Sequence, residues 1–173
     1  MIVKFKELHP GAVLPSKATP QSVGYDLYVP ADICIEHPRQ VIPLGFAMEL
    51  PCGVEAKIEP RSGFSSKGIE GFALKQSVND PYGKTDFQPG LWQRIDMAEC
   101  FNADVLVGKI DPDYRGEVGV IIRNNEPGKP FLVAKGTRIA QMTFYKTGTA
   151  DFELVQDLSD TDRGTGGYGS TGK

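Results

Sequence analysis

Every second residue is apolar in the run Ile42, Leu44, Phe46, Met48, Leu50, and the same period returns at Val54, Ala56 and Ile58, alternating with Glu55, Lys57 and Glu59. A two-residue period marks half-buried β-strands, whose side chains point to opposite faces in turn. Val3 and Phe5, Ile33 and Ile35, Val118 to Ile122, Phe131 to Val133 and Ile139 to Tyr145 add further short β-prone runs, each bounded by Gly, Pro, Asn or Asp. The 20 glycines and 13 prolines among 173 residues interrupt the chain too often for long helices. Many short strands at close spacing predict an all-β sandwich, jelly roll or barrel, and a chain of this length needs only one core.

Hydrophobic residues at 40% and charged residues at 24% describe an ordinary globular protein. A formal net charge of −3 argues against a nucleic-acid coat, which needs a Lys/Arg excess, and leaves a small anionic ligand open. No apolar run follows Met1 to Lys6, and none is long enough to span a bilayer, so a cytoplasmic protein without a membrane partner is expected. Cys34, Cys52 and Cys100 are widely spaced and read as ordinary thiols, with no disulfide framework or zinc site.

Three segments break the strand pattern. Pro60 to Gly71 is polar and Gly/Ser-rich, suited to a loop or short helix with its backbone near a ligand. Phe72 to Asn102 contains the turn cluster Asn79-Asp80-Pro81-Tyr82-Gly83 and then Leu91 to Phe101, a candidate short amphipathic helix or hairpin carrying the only tryptophan, Trp92. Ser159 to Lys173 holds five glycines and almost no aliphatic residues, so it cannot bury itself. By composition it is a flexible tail, yet Arg163, Tyr168, Ser170 and Thr171 set among those glycines are also phosphate-binding parts: a guanidinium fork, hydroxyls and unhindered backbone N–H groups.

Gly24-Tyr25-Asp26-Leu27, Pro60-Arg61-Ser62-Gly63, Gly108 to Gly116 (GKIDPDYRG), Gly136-Thr137-Arg138-Ile139-Ala140-Gln141 and the Arg163 tail follow one another along the chain. Together they resemble the five motifs of the homotrimeric dUTP diphosphatases, the dUTPases. The resemblance implies a jelly-roll-like distorted β-barrel over residues 1–158, with residues 159–173 as a Gly-rich arm closing over an active site. It implies a homotrimer whose sites are shared between chains, and hydrolysis of dUTP to dUMP and diphosphate by water attack on the α-phosphorus, with Mg²⁺. That reaction limits uracil in DNA and supplies dUMP for dTMP synthesis.

The same resemblance assigns roles. Asp111 polarises the attacking water, as a carboxylate can in a closed site; alone it would read as a turn aspartate beside Pro112, the reading Asp113 keeps. Tyr114 lies against the deoxyribose and leaves no room for a 2'-hydroxyl. The uracil sits in a hairpin formed around Val107 to Ile110 and Gly119 to Ile121, with Gly108, Gly119 and Ile121 supplying backbone contacts that reject thymine and cytosine. Arg61, Ser62 and Gly63 grip the phosphate chain, Gln141 donates near the α-phosphate, Arg163, Ser170 and Thr171 reach the γ-phosphate, and Gly169 also binds substrate. Tyr168 takes the place of a usual phenylalanine stacked on the base. Arg138 is structural or phosphate-facing. Asp26 helps hold the site and the water shell of Mg²⁺, with no direct protein ligand to the metal. His9 and His37 are read as surface loop residues.

The spacing between Pro60 and Asp111 exceeds that of a compact member, so about 70–104 reads as an insertion. Leu91, Trp92, Met97 and Phe101 give it an apolar face that could pack on the trimer or bind a protein partner. Two other functions compete. A dCTP deaminase of the same fold, or a bifunctional enzyme, would need a glutamate facing the base, and only Glu117 stands near the strand Val118 to Ile122. A regulatory nucleotide-binding protein would act through the insert.

Overall fold

The computed structural model describes residues 1–76 and 92–166. The strands are β1 (Lys4–Glu7), β2 (Tyr25–Tyr28), β3 (Ile33–Ile35), β4 (Arg39–Pro43), β5 (Phe46–Glu49) and β6 (Val54–Glu59), then, after one short helix α1 (Ser62–Lys67), β7 (Ile69–Gln76), β8 (Trp92–Phe101), β9 (Ala103–Leu106), β10 (Gly108–Ile110), β11 (Gly119–Asn124), β12 (Phe131–Val133) and β13 (Arg138–Lys146). Among the described residues they make four small sheets, ordered β1-β5, β10-β6-β13-β2, β4-β11-β9 and β3-β12-β7-β8. The result is the jelly-roll-like all-β body expected. No helix among the described residues is long and apolar enough to cross a membrane.

The alternation works as the pattern requires in β6, where Val54, Ala56 and Ile58 are buried while Glu55, Lys57 and Glu59 face outward. The longer run Ile42 to Leu50 is divided. Gly45 takes a positive φ of 77°, a left-handed turn that glycine adopts without steric cost, so β4 pairs with β11 while β5 pairs with β1. Leu44 and Phe46 stay buried on either side of the break. The strands close around a core of Leu27, Ile35, Ile42, Phe46, Ile69, Val120, Ile122, Phe131 and Ile139. Burial and the neighbouring Glu36 charge push the Cys34 thiol up to about 12, while Cys52 and Cys100 are exposed and free. His9 and His37 are exposed, as expected.

Leu91 to Phe101 is resolved in favour of a hairpin: from Trp92 onward it is β8, antiparallel to β7 from Ile69↔Phe101 to Gln76↔Trp92. The base of this hairpin belongs to the body. Ile69 is fully buried, Ala103 nearly so, Phe72 and Ala73 pair with β12, and the Phe101 ring stacks on Phe131 at 4.4 Å between centroids. Phe101 therefore turns inward and leaves the apolar face, while Met97 is 79% exposed. Leu91 and the 79–83 turn cluster lie outside the described residues. Ile69→Ala is expected to lower stability by about 2–4 kcal/mol, as for a buried large-to-small change. Met97→Ala should stay within about 0.5 kcal/mol. Urea unfolding of the two variants measures both.

Candidate functional site

Three elements meet at one cleft. β2 carries Asp26, the turn after β6 carries Arg61 and leads into α1 with Ser62 and Gly63 at its start, and β13 carries Gln141. The registers Gln141↔Asp26 and Gln141↔Glu59 set Asp26, Gln141 and Glu59 in one cross-strand row. All six residues line an open cleft of about 650 Å³, with Gly24, Thr143 and Tyr145 on its walls.

Asp26 is a buried carboxylate and is held from two sides. Arg61 Nε donates to its Oδ1 at 2.8 Å and Arg138 Nη1 to its Oδ2 at 3.4 Å. Arg138, which the sequence leaves between structural and phosphate-facing, thus has a structural contact while its side chain is half exposed. It also lines a smaller depression with Arg61, Lys135 and Thr137. The Gln141 carboxamide is fixed as well: Nε2 donates to the Pro60 carbonyl at 3.1 Å, and a Cβ on Gly24 would collide with Gln141 Oε1. One amide proton of Gln141 and the Ser62 hydroxyl are left for a ligand. Thr143 Oγ1 donates to Glu59 Oε2 at 3.0 Å.

The third-motif residues lie elsewhere in the same chain; none of Gly108, Asp111, Tyr114, Gly119 or Ile121 lines this cleft. Asp111 is exposed just beyond β10, where its carbonyl accepts the Tyr114 N–H at 3.1 Å. Arg115 Nη1 donates to the Pro112 and Tyr114 carbonyls, and the Tyr114 hydroxyl donates to the Glu117 carbonyl at 3.0 Å, passing over Gly116, whose missing side chain leaves the room. Lys109 is tied to Glu55 at 2.9 Å. That hydrogen bond holds Glu55 below the usual carboxylate range and raises Lys109.

The expected hairpin between 107–110 and 119–121 is an open fork. β11 pairs with β9 as far as Ile121↔Leu106, after which the chain leaves the ladder at Val107 and β10 pairs with β6 instead. Continued, the register would set Gly108 opposite Gly119. Two residues without side chains thus face each other where the strands part, and the backbone edge of β11 on that side has no β10 partner.

Arg163 is exposed in a turn, its Nε donating to the Gly166 carbonyl at 2.9 Å. Tyr168, Gly169, Ser170 and Thr171 lie outside the described residues. Glu117, the glutamate at the entrance of β11, is committed elsewhere: its Oε1 accepts the Gly45 N–H at 2.8 Å. Glu59 went unassigned in the sequence reading, although the β6 alternation already places it on the outward face two residues before Arg61.

A guanidinium, a hydroxyl, a carboxamide and bare glycines thus converge on one side of a jelly-roll-like body. A family model described as dUTPase matches residues 11–74 and 100–172, and the chain belongs to the dUTPase family. The deoxyuridine 5'-triphosphate nucleotidohydrolase of Corynebacterium glutamicum is 35% identical over 99% of this chain and 95% of its own. That of Maricaulis maris is 38% identical over 98% and 95%. Among solved structures, the fold is similar to that of a variant of the Staphylococcus bacteriophage 80alpha dUTPase with dUpNHpp (TM-score 0.75, 21% identity, 99% of both chains). It is also similar to that of a variant of the dUTPase from phage phi11 of S. aureus, described with a structural Mg(II) ion (TM-score 0.67, 18% identity, 91% of this chain and 99% of that one). The family match skips residues 75–99, which take in the end of β7, the greater part of β8 and the residues between them, a narrower segment than 70–104.

Gly24→Ala should push the Gln141 carboxamide out of place and weaken dUpNHpp binding about tenfold, the worth of one lost hydrogen bond. Calorimetric titration beside a melting curve checks this, with the melting temperature staying close to that of the parent.

Proposed function

We propose that this protein hydrolyses dUTP to dUMP and diphosphate, which keeps uracil out of DNA and supplies dUMP for dTMP synthesis. The observation that carries the reading is the cleft where Asp26 holds Arg61 beside Ser62, Gly63 and Gln141. Those groups suit a phosphate chain: the guanidinium and carboxamide donate to oxygens, and the Ser62 hydroxyl and Gly63 N–H can approach closely because no side chain intervenes at Gly63. Preset donors stabilise charge developing on the phosphates without reorganising during reaction.

The fork between β10 and β11 suits the uracil, since an unpaired strand edge presents N–H and C=O groups in the alternation a pyrimidine edge needs. A base with donor and acceptor exchanged would leave those groups unpaired, which rejects cytosine. Tyr114, anchored through its hydroxyl, is the wall against the deoxyribose. Asp111, beside the fork and exposed to water, accepts the proton of the attacking water as the α-phosphorus is approached. The deaminase reading loses its glutamate, because Glu117 is bound to the Gly45 turn.

None of the fork residues lines the cleft, and in this reading each working site takes its phosphate grip and its base fork from different copies of a homotrimer. The chain beyond β13 fits this assembly. Thr147 is tied to Gly53, but Phe152 and Leu154 are fully exposed, and among the described residues no backbone hydrogen bond ties 148–160 to the body. Such a segment needs a partner surface, and carries the 159–173 arm with Arg163, Tyr168, Gly169, Ser170 and Thr171 to a neighbouring site.

Mg²⁺ fits as a hydrated ion carried on the triphosphate. The cleft offers carboxylate oxygens to such a water shell, and Asp26, held by Arg61 and Arg138, fixes the wall beside them. When bound it neutralises charge on the phosphate oxygens.

Diphosphate release from dUTP, dCTP, dTTP and UTP with Mg²⁺ tests the activity: release is expected from dUTP alone, without ammonia, and reduced about 100- to 10,000-fold in Asp111→Asn. Ammonia from dCTP would move the protein to the deaminases. Asp111→Asn and Arg61→Ala chains, each inactive alone, should regain activity when refolded together. Sites confined to single chains would give none.

A further inference from the structure

We propose that Glu59 is the residue through which the cleft recognises the hydrated divalent cation of its nucleotide ligand; this rests on the dUTP reading above. The lining holds two carboxylates, Asp26 and Glu59, against one guanidinium, Arg61. The two carboxylates are not equivalent. Asp26 is buried and neutralised by Arg61 and Arg138. Glu59 accepts only the neutral Thr143 hydroxyl, and among the described residues no cationic group forms an ion pair with it.

An uncompensated carboxylate in a polyphosphate cleft repels the ligand it lines, unless a cation comes between them. The nearest lysine on its strand, Lys57, is turned to Glu55 and lies over the Tyr145 ring at 4.2 Å. Mg²⁺ dehydrates reluctantly and meets carboxylates well through its coordinated waters. Glu59 stands in one row with Gln141 and next to the Pro60-Arg61 turn, so its free oxygen can accept from such a water while Arg61 and Gln141 hold the phosphates. Its charge then favours the Mg²⁺-bound nucleotide and disfavours the bare one. Glu59 is a specificity-determining residue in this scheme and takes no part in bond breaking.

The test is the affinity of Glu59→Gln for dUpNHpp, titrated calorimetrically once with Mg²⁺ and once with EDTA. Glutamine keeps the size and can still accept from Thr143. Binding is expected to weaken about tenfold with Mg²⁺ and to be unchanged or tighter with EDTA, a crossing that loss of packing cannot produce. Thr143→Val, which removes the hydrogen bond but keeps the charge, should leave the Mg²⁺ dependence intact. Equal loss in both media, or Thr143→Val reproducing Glu59→Gln, would show that Glu59 only braces Thr143 and would overturn the proposal. Dissociation of the Glu59→Gln assembly in sedimentation would overturn it too, by assigning Glu59 to a cation of a second copy. A parent chain that binds no dUpNHpp in either medium would instead remove the dUTP reading, and this role with it.

Discussion

The site hangs on a single carboxylate. Asp26 sits at a low-exposure point of β2 and is bonded to Arg61 from the turn after β6 and to Arg138 at the start of β13, so it fastens three segments remote in sequence. Removing Asp26 would leave two guanidiniums facing each other without their shared counter-charge, whereas removing either arginine leaves the other in place. The same bonds fix where the Arg61 guanidinium points. Gly24, two residues before Asp26, lets Gln141 fold back against Pro60. The stability of the body and the geometry of the cleft therefore draw on one local arrangement.

The chain changes sheets at two points. At Gly45 a left-handed residue hands the chain from the β11 ladder to β1, and at Val107 it passes from β11 to β6. The second change opens a strand edge that a regular hairpin would have closed. Tyr114 and Asp111 stand beside that opening because the 111–117 loop is braced by its own backbone and by Arg115. The cleft of Asp26, Arg61 and Gln141 and the opening at Val107 are thus built by different devices of the same fold: one by ion pairing, the other by a change of strand partner.

Much of this was legible in the sequence, and the rest was not for physical reasons. The alternation of β6 reads directly as burial, and the motif residues Asp26, Arg61, Ser62, Gly63 and Gln141 do converge. Periodicity could not show the break at Gly45, because apolar residues keep their two-residue spacing on both sides of a turn that only a positive φ reveals. It could not show the opening at Val107 either, since choice of sheet partner is a long-range property. Phe101 looked like part of an exposed apolar face, and its stacking on Phe131, thirty residues away, decides otherwise. Glu59 was visible as an outward residue, but that no cationic group among the described residues pairs with it appears only once Lys57 is seen turned to Glu55.

The β7/β8 hairpin has a wider meaning for the lineage of this chain. Its two strands leave and rejoin the body side by side, anchored by Ile69, Phe101 and Ala103, so the distance to be spanned at its root is fixed whatever lies beyond. Loop-closure entropy rises only with the logarithm of length, so residues can be gained or lost at the far end with little change in the stability of the core or the shape of the cleft. The hairpin is thus a port in the architecture, where new sequence can accumulate by drift or be grafted by design without the enzyme's registers having to move.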